Sequence, residues 1–194
     1  MLLDALREHT RPHHQAIEQN RLLSEVVRPT LTRDVYVEVL ARFYGFMKPL
    51  EHEWLRHGTE AGLGAFLKNR MKTGLLEHDL AQMGVPADAL CRMPQCTELP
   101  SCDGLARCLG ILYVIEGSTL GGQMIAAAVK KSLGVDSGSG GAYFAGYGAS
   151  TGTMWKETCR VLEEYGQDTD TARAETVAAA AETFDTLHRW FQEL

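Results

Sequence analysis

The sequence predicts an all-α fold, because apolar residues recur at helical spacing along most of its 194 residues. Alternating β-branched runs and Asn-Gly turns, which are typical of strands and hairpins, are absent. Hydrophobic residues make up 45% of the chain and charged residues 23%, the balance of a soluble globular protein. No internal repeat or linker divides the chain, so we expect a single domain, a helical bundle, over residues 1–194.

The formal net charge of −6 argues against a nucleic-acid partner or an anionic membrane surface. The longest basic run is the pair Lys130-Lys131, whereas such partners need clustered cations. The N-terminus lacks the apolar core of a signal peptide, and charged residues interrupt the apolar stretch at 105–129. We therefore expect a cytoplasmic protein with no membrane span.

The five cysteines also indicate a reducing, cytoplasmic setting, because their number is odd and no C-x-x-C pair occurs. Three of them, Cys91, Cys96 and Cys102, are separated by four and five residues. These gaps match no common zinc spacing, so thiols in and around a loop are the better interpretation.

The first two helices are predicted in the N-terminal third. Apolar periodicity covers residues 2–19, where Pro12 should bend the helix or restart it near Thr10. A second helix begins after Thr32, a typical N-cap residue, and Pro49 should kink it.

Further helices follow at 69–83, which Gly84 should end, and at 103–133, after a Pro- and Cys-rich connection. Residues 134–152 contain seven of the 19 glycines, so they predict a flexible loop. The aromatic residues in this loop suggest that it packs against another part of the protein. Helix is predicted again at 151–165 and 171–194.

Three glycines interrupt the helix predicted at 103–133, namely Gly117, Gly121 and Gly122. Each costs about 1 kcal/mol of helix propensity relative to alanine. We therefore expect a packing or binding interaction at these glycines that offsets the loss. Two interpretations stay open: close packing against another helix, or a flat ligand that lies on the bare backbone of a bent helix.

The first helix carries His9, His13 and His14, with Glu18 one turn beyond His14. They are either solvated surface histidines or include a metal ligand oriented by a nearby carboxylate. Periodicity cannot choose between His13 and His14, since both border the apolar stripe. A single axial histidine opposite a glycine-rich helix suits a metal carried in its own macrocycle.

Two motifs together resemble the heme oxygenase family. The first is Leu6-Arg-Glu-x-Thr-Arg-x-x-His14 with Glu18, and the second is Tyr113-Val-Ile-Glu-Gly-Ser-Thr-Leu-Gly-Gly122. They occur in the family's order and spacing. The second is most similar to the bacterial, biliverdin-forming branch that is often found beside bacterial phytochromes.

The resemblance implies a set of heme-binding residues. His14 matches the proximal heme ligand, and Glu18 matches the acid that hydrogen-bonds near it. Arg7, Lys156 and Arg160 match cations that reach the heme propionates, a role that suits basic side chains beside carboxylates.

On the distal side, Gly117 and Gly121 match the glycines whose backbone lies over the iron, and Phe184 and Phe191 match aromatic residues that wall the porphyrin. Ser118 stands where well-known animal enzymes have an aspartate that holds distal water. Proton delivery would then use Ser118, backbone groups or other ordered water.

The resemblance therefore implies a heme oxygenase, with heme as both cofactor and substrate. Dioxygen and electrons from a ferredoxin, a flavoprotein or an ascorbate-like reductant would open heme to biliverdin and release carbon monoxide and ferrous iron. A phytochrome is a candidate biliverdin acceptor. Two alternatives stay open: a heme or bilin carrier without turnover, suggested by Ser118, and an all-α protein that binds no heme.

Overall fold

The all-α prediction is confirmed. The computed structural model describes residues 1–165 and 169–192, and this part of the chain contains α-helices, one 3₁₀ turn and no strand. The helices are α1 (Leu2–Glu18), α2 (Arg21–Val26), α3 (Arg33–Glu60), α4 (Gly64–Lys68), α5 (Thr73–Gln82), α6 (Ala87–Leu90), α7 (Leu105–Leu133), α8 (Ala142–Ala145), α9 (Thr151–Tyr165) and α10 (Asp170–Gln192). The last two residues of the helix predicted at 171–194 lie outside the described residues.

Several helix ends follow the sequence signals. The Thr32 hydroxyl accepts a hydrogen bond from the Val35 amide at 3.3 Å, so Thr32 caps α3 as predicted. Gly84 follows α5 with a φ of +86°, and Gly134 ends α7 with a φ of +72°. Glycine tolerates this left-handed conformation, which stops a helix.

Of the two effects predicted for Pro12, a bend in α1 or a restart near Thr10, the restart is wrong, since α1 runs without a break through Pro12. Leu2, Leu6 and Ile17 are buried along one side of α1, so their packing holds the helix across the proline. The Thr10 hydroxyl donates to the Leu6 carbonyl at 2.7 Å and is itself buried.

The helix predicted from residue 69 begins later, at Thr73. Arg70 and Lys72 precede it in a turn that directs both side chains into the interior, where they are 2% and 3% exposed. The Glu51 carboxylate accepts hydrogen bonds from the amides of Lys72 and Thr73, and it thereby caps the start of α5 from a distant helix.

Helix α10, near the C-terminus, packs against α1 at the N-terminus and against the long helix α7. The crossing with α7 is close at Gly110, where an added Cβ would lie 2.7 Å from the Ala179 Cβ. Helix α9 likewise packs against α7 and α1. α1 and α7 therefore share the same two neighbours, which keeps them in a defined arrangement.

Among the described helices, α7 is the one that is long and apolar enough to cross a membrane by length and composition. This differs from the expectation that charged residues would disqualify the stretch. Just over half of its apolar window is buried inside the protein, where α10, α9 and α8 pack on it. The core helix of a soluble protein passes the same test.

Candidate functional site

The structure separates the two adjacent histidines of α1. His13 is partly buried, and its Nδ1 lies 2.5 Å from Asp185 Oδ1 on α10. His14 is 53% exposed, and its Nδ1 lies 3.5 Å from Glu18 Oε2. His13 therefore ties α1 to α10, whereas His14 presents its imidazole to the surface beside a carboxylate.

An aromatic side chain of α10 lies next to His14. The Phe184 ring is 5.5 Å from the His14 ring, centroid to centroid, and nearly perpendicular to it. Phe184 is buried, so it fixes the position of the exposed imidazole from below. Phe191 lies deeper in the core, where its ring is 4.9 Å from the Phe43 ring.

Helix α7 presents an open strip of four residues, defined as Gly117, Leu120, Gly121 and Met124. Their spacing places them on one side of the helix. Leu120 is 45% exposed and Met124 70% exposed, although both are apolar. An added Cβ at Gly121 would meet nothing within 4 Å, and one at Gly117 would lie 3.6 Å from the Trp155 ring. The strip can therefore accept a flat apolar ligand close to the backbone.

The helix glycines fit both interpretations: one of them allows close helix packing, and another leaves its backbone open to a ligand. A Cβ at Gly122 would lie 2.8 Å from the Phe144 carbonyl oxygen, so Gly122 permits close packing of α8 on α7. Gly121 has open space instead. Gly110, which the sequence did not single out, is a second close-packing glycine, since it lies at the crossing with α10.

Two hydroxyl side chains bond back to the backbone of α7 beside the open strip. Ser118 Oγ donates to the Ile115 carbonyl at 2.8 Å, and Thr119 Oγ1 donates to the Glu116 carbonyl at 2.6 Å. Such bonds compete for helix carbonyls and often bend a helix. Ser118 is exposed, so its oxygen also faces solvent.

The three predicted propionate-binding cations lie on α1 and α9. Arg7 and Lys156 are exposed. Burial raises the pKa of the Cys159 thiol on α9, and the charge of Arg7 opposes that shift. Arg160 is also exposed but forms an ion pair with Glu164 at 2.8 Å. α1 and α9 are held together by the Leu3 amide, which donates to Glu163 at 3.2 Å. Arg160 thus has a competing partner that the sequence analysis did not consider.

Sequence reasoning missed a buried polar cluster beside the open strip, defined here as Lys72, Glu116 and Tyr147. Lys72 Nζ and the Tyr147 hydroxyl each donate to Glu116 Oε1 at 2.8 Å, and Lys72 Nζ also donates to the Tyr147 oxygen at 2.6 Å. Glu116 is 0% exposed. Burial lowers the pKa of Lys72, while Glu116 opposes that shift.

Arg70 extends this cluster toward the surface. Its Nε lies 3.5 Å from Glu116 Oε2, and its Nη2 donates to Glu157 at 2.7 Å. The only sequence signal for the cluster was Glu116 inside an otherwise apolar run. Within residues 1–165 and 169–192, no three His, Cys, Asp or Glu side chains come together as a metal site.

Known proteins resemble this chain in sequence and in fold. A heme oxygenase of Xanthomonas campestris pv. campestris (strain 8004) is 31% identical over 158 residues, which cover 80% of this chain and 87% of that protein. The structure of heme oxygenase from Leptospira interrogans superposes with a TM-score of 0.79 at 18% identity and covers 100% of this chain and 99% of that one.

A second solved structure, heme oxygenase-1 from the cyanobacterium Synechocystis sp. PCC6803 in complex with heme, gives a TM-score of 0.72 at 17% identity. It covers 100% of this chain and 91% of that one. At such identities the two structures establish the shared fold. The family model for heme oxygenase matches residues 1–193, which favours an enzyme over a carrier without turnover. By this match and the Xanthomonas relative, the chain belongs to the heme oxygenase family and is an enzyme that degrades heme.

Proposed function

We propose that this heme oxygenase binds its substrate between α1 and α7, with His14 as the iron ligand and the open strip against the opposite porphyrin face. The observation that carries the proposal is the strip itself. Leu120 and Met124 leave apolar surface exposed on a core helix, and Gly121 leaves its backbone uncovered. Exposed apolar patches of this kind mark binding surfaces.

The donor set suits heme. His14 offers one imidazole nitrogen, since Nδ1 faces Glu18 and Nε2 has no hydrogen-bond partner in the described part of the chain. One protein nitrogen is enough when the macrocycle supplies the other ligands. Glu18 then orients the imidazole through Nδ1.

The remaining residues have binding and positioning roles. Arg7, Lys156 and Arg160 hold the two propionates at the cleft edge, and Arg160 exchanges Glu164 for a propionate. Gly117 and Gly121 keep side chains away from the distal face, while the Ser118 hydroxyl holds an ordered water. When bound, heme supplies both the iron that activates dioxygen and the porphyrin that is opened.

The products are biliverdin, carbon monoxide and ferrous iron, as the family resemblance implies. The electrons come from a ferredoxin, a flavoprotein or an ascorbate-like reductant, and the site of action is the cytoplasm. The resemblance to the bacterial branch supports a phytochrome as the biliverdin acceptor. The same resemblance supports one domain over residues 1–194.

Hemin titration followed by reduction tests this proposal. We expect a Soret band on adding hemin, its loss in the His14→Ala variant, and conversion to a biliverdin spectrum with ascorbate or a ferredoxin system in the presence of catalase. Chromatography identifies the biliverdin isomer. A Soret band that His14→Ala leaves unchanged would reject His14 as the ligand, and unchanged ferric heme after reduction would reject turnover.

A further inference from the structure

We infer that the buried cluster of Lys72, Glu116 and Tyr147 is a positioning device, which sets where the backbone of the open strip lies and thereby selects the porphyrin carbon that is cut. The inference rests on the proposed heme-binding site. It assigns no contact with heme to the cluster, which acts through α7.

The first step is the placement of Glu116 directly before Gly117. Glu116 is rotated by about 100° from Gly117 and lies one turn before Leu120, so it borders the open strip along one edge. Glu116 is 0% exposed, whereas Leu120 is 45% exposed, so α7 passes from the core to the surface across this edge of the strip. A contact that Glu116 makes inside the core therefore constrains the edge of the strip without covering its exposed surface.

The second step is that the cluster joins three distant parts of the chain. Lys72 lies just before α5, Glu116 lies in α7, and Tyr147 follows α8. Three hydrogen bonds between these side chains close a triangle, with distances of 2.8, 2.8 and 2.6 Å. Charge-assisted bonds of this kind are directional, so they fix the position of α7 relative to both partners.

The third step is that α7 is locally adaptable at this point. Ser118 and Thr119 bond back to the carbonyls of Ile115 and Glu116, and glycines at 117 and 121 add backbone freedom. A segment with these features can adopt more than one backbone position. The cluster supplies a constraint along its buried edge.

Tyr147→Phe is the deciding variant, because it removes one hydroxyl from the cluster and keeps the ring. Tyr36→Phe is the matched control: it also removes a buried hydroxyl, which donates to the Gly140 carbonyl at 2.9 Å outside the cluster. Glu116→Gln is the stronger variant, and Tyr147→Phe decides alone if Glu116→Gln does not fold.

Amide hydrogen exchange of the heme-free protein is the first measurement. We expect Tyr147→Phe to speed exchange at residues 117–122 about tenfold relative to Tyr36→Phe, with α10 unchanged. The second measurement is product chromatography, where Tyr147→Phe adds further biliverdin isomers while the hemin dissociation constant stays within about twofold of wild type.

Equal exchange in Tyr147→Phe and Tyr36→Phe would overturn the inference, as would an unchanged isomer composition. A rise in exchange that extends equally through α10 would also overturn it, because it indicates a general loss of stability. Failure of the proposed function has a different signature: the wild-type protein would not bind hemin, whereas the exchange comparison needs no heme.

Discussion

At the scale of single residues, His13 and His14 differ by one position but by about 100° around α1. Helical periodicity could not separate them, since both border the apolar stripe, and only the motif resemblance singled out His14. Burial and one contact separate them in the structure. His13 turns toward α10 and meets Asp185, while His14 turns outward above Phe184.

Substitution by alanine should therefore affect stability at His13 and heme ligation at His14. His13→Ala should lower the free energy of unfolding by about 1 kcal/mol, since a partly buried bond to Asp185 is lost. His14→Ala should change it by less than about 0.5 kcal/mol but abolish heme ligation. Urea unfolding of the heme-free protein and hemin titration measure the two effects. Loss of ligation in His13→Ala alone would reverse the assignment.

Ser118 lies beside the open strip, and its hydroxyl is bonded to its own helix. It has no described contact with the predicted proximal residues, so its removal should not weaken heme binding. Ser118→Ala should change the turnover rate or the biliverdin isomer, while the hemin dissociation constant stays within about twofold of wild type. If rate, isomer and affinity all match wild type, Ser118 has no distal role.

At the scale of elements, α7 shows what the sequence can and cannot predict. Its bounds and its glycine stop followed from periodicity and from Gly134. Which of its glycines are packed could not be predicted, because the answer depends on α8 and α10, which are distant in sequence. The local signal at Gly121 and Gly122 is the same, yet only Gly122 has a neighbour that excludes a Cβ.

Alanine at these two adjacent glycines tests that difference. Gly121→Ala should stabilise the heme-free protein by about 1 kcal/mol, because the Cβ meets open space and the helix propensity rises. It should also weaken hemin binding, since a methyl group then covers the backbone. Gly122→Ala should destabilise the protein by about 2 kcal/mol through overpacking on Phe144. Thermal unfolding with and without hemin measures the changes in stability and in hemin binding.

The start of α5 gives a pH-dependent prediction. Burial raises the pKa of Glu51 above its ordinary value of 4.5, although the Lys72 and Thr73 amides oppose the shift. The folded state therefore binds this proton more tightly than the unfolded state. The stability that Glu51 contributes is complete below its ordinary pKa and is lost as the pH rises through the raised value.

Urea unfolding of wild type and Glu51→Gln between about pH 4.5 and pH 7 measures this contribution. The free energy of unfolding of wild type minus that of the variant should fall as the pH rises. The glutamine keeps one acceptor for the α5 amides and does not titrate. A difference that stays constant or grows with pH would contradict the assignment to Glu51.

At the scale of the whole molecule, periodicity predicted the long helices, and the family resemblance supplied the proposal of His14 and the open glycines as site residues. Sequence reasoning missed the short helices α2, α4, α6 and α8, whose few residues give no periodicity. It also missed the cluster of Lys72, Glu116 and Tyr147, since these residues come together only through packing. Contacts between distant segments leave no local pattern to detect.

Binding of a porphyrin at the proposed heme site should change the accessibility of one methionine and leave that of another unchanged. Met124 is 70% exposed on the open strip, and Met1 is 78% exposed at the other end of α1 from His14. Zinc protoporphyrin has the shape of heme and does not undergo its oxygen chemistry. With a mild oxidant, sulfoxide formation at Met124 should slow at least about tenfold when this porphyrin is bound, because the thioether is covered. Met1 should oxidise at an unchanged rate, as peptide mass spectrometry can measure. Equal protection of both methionines, or of neither, would place the porphyrin elsewhere on the molecule.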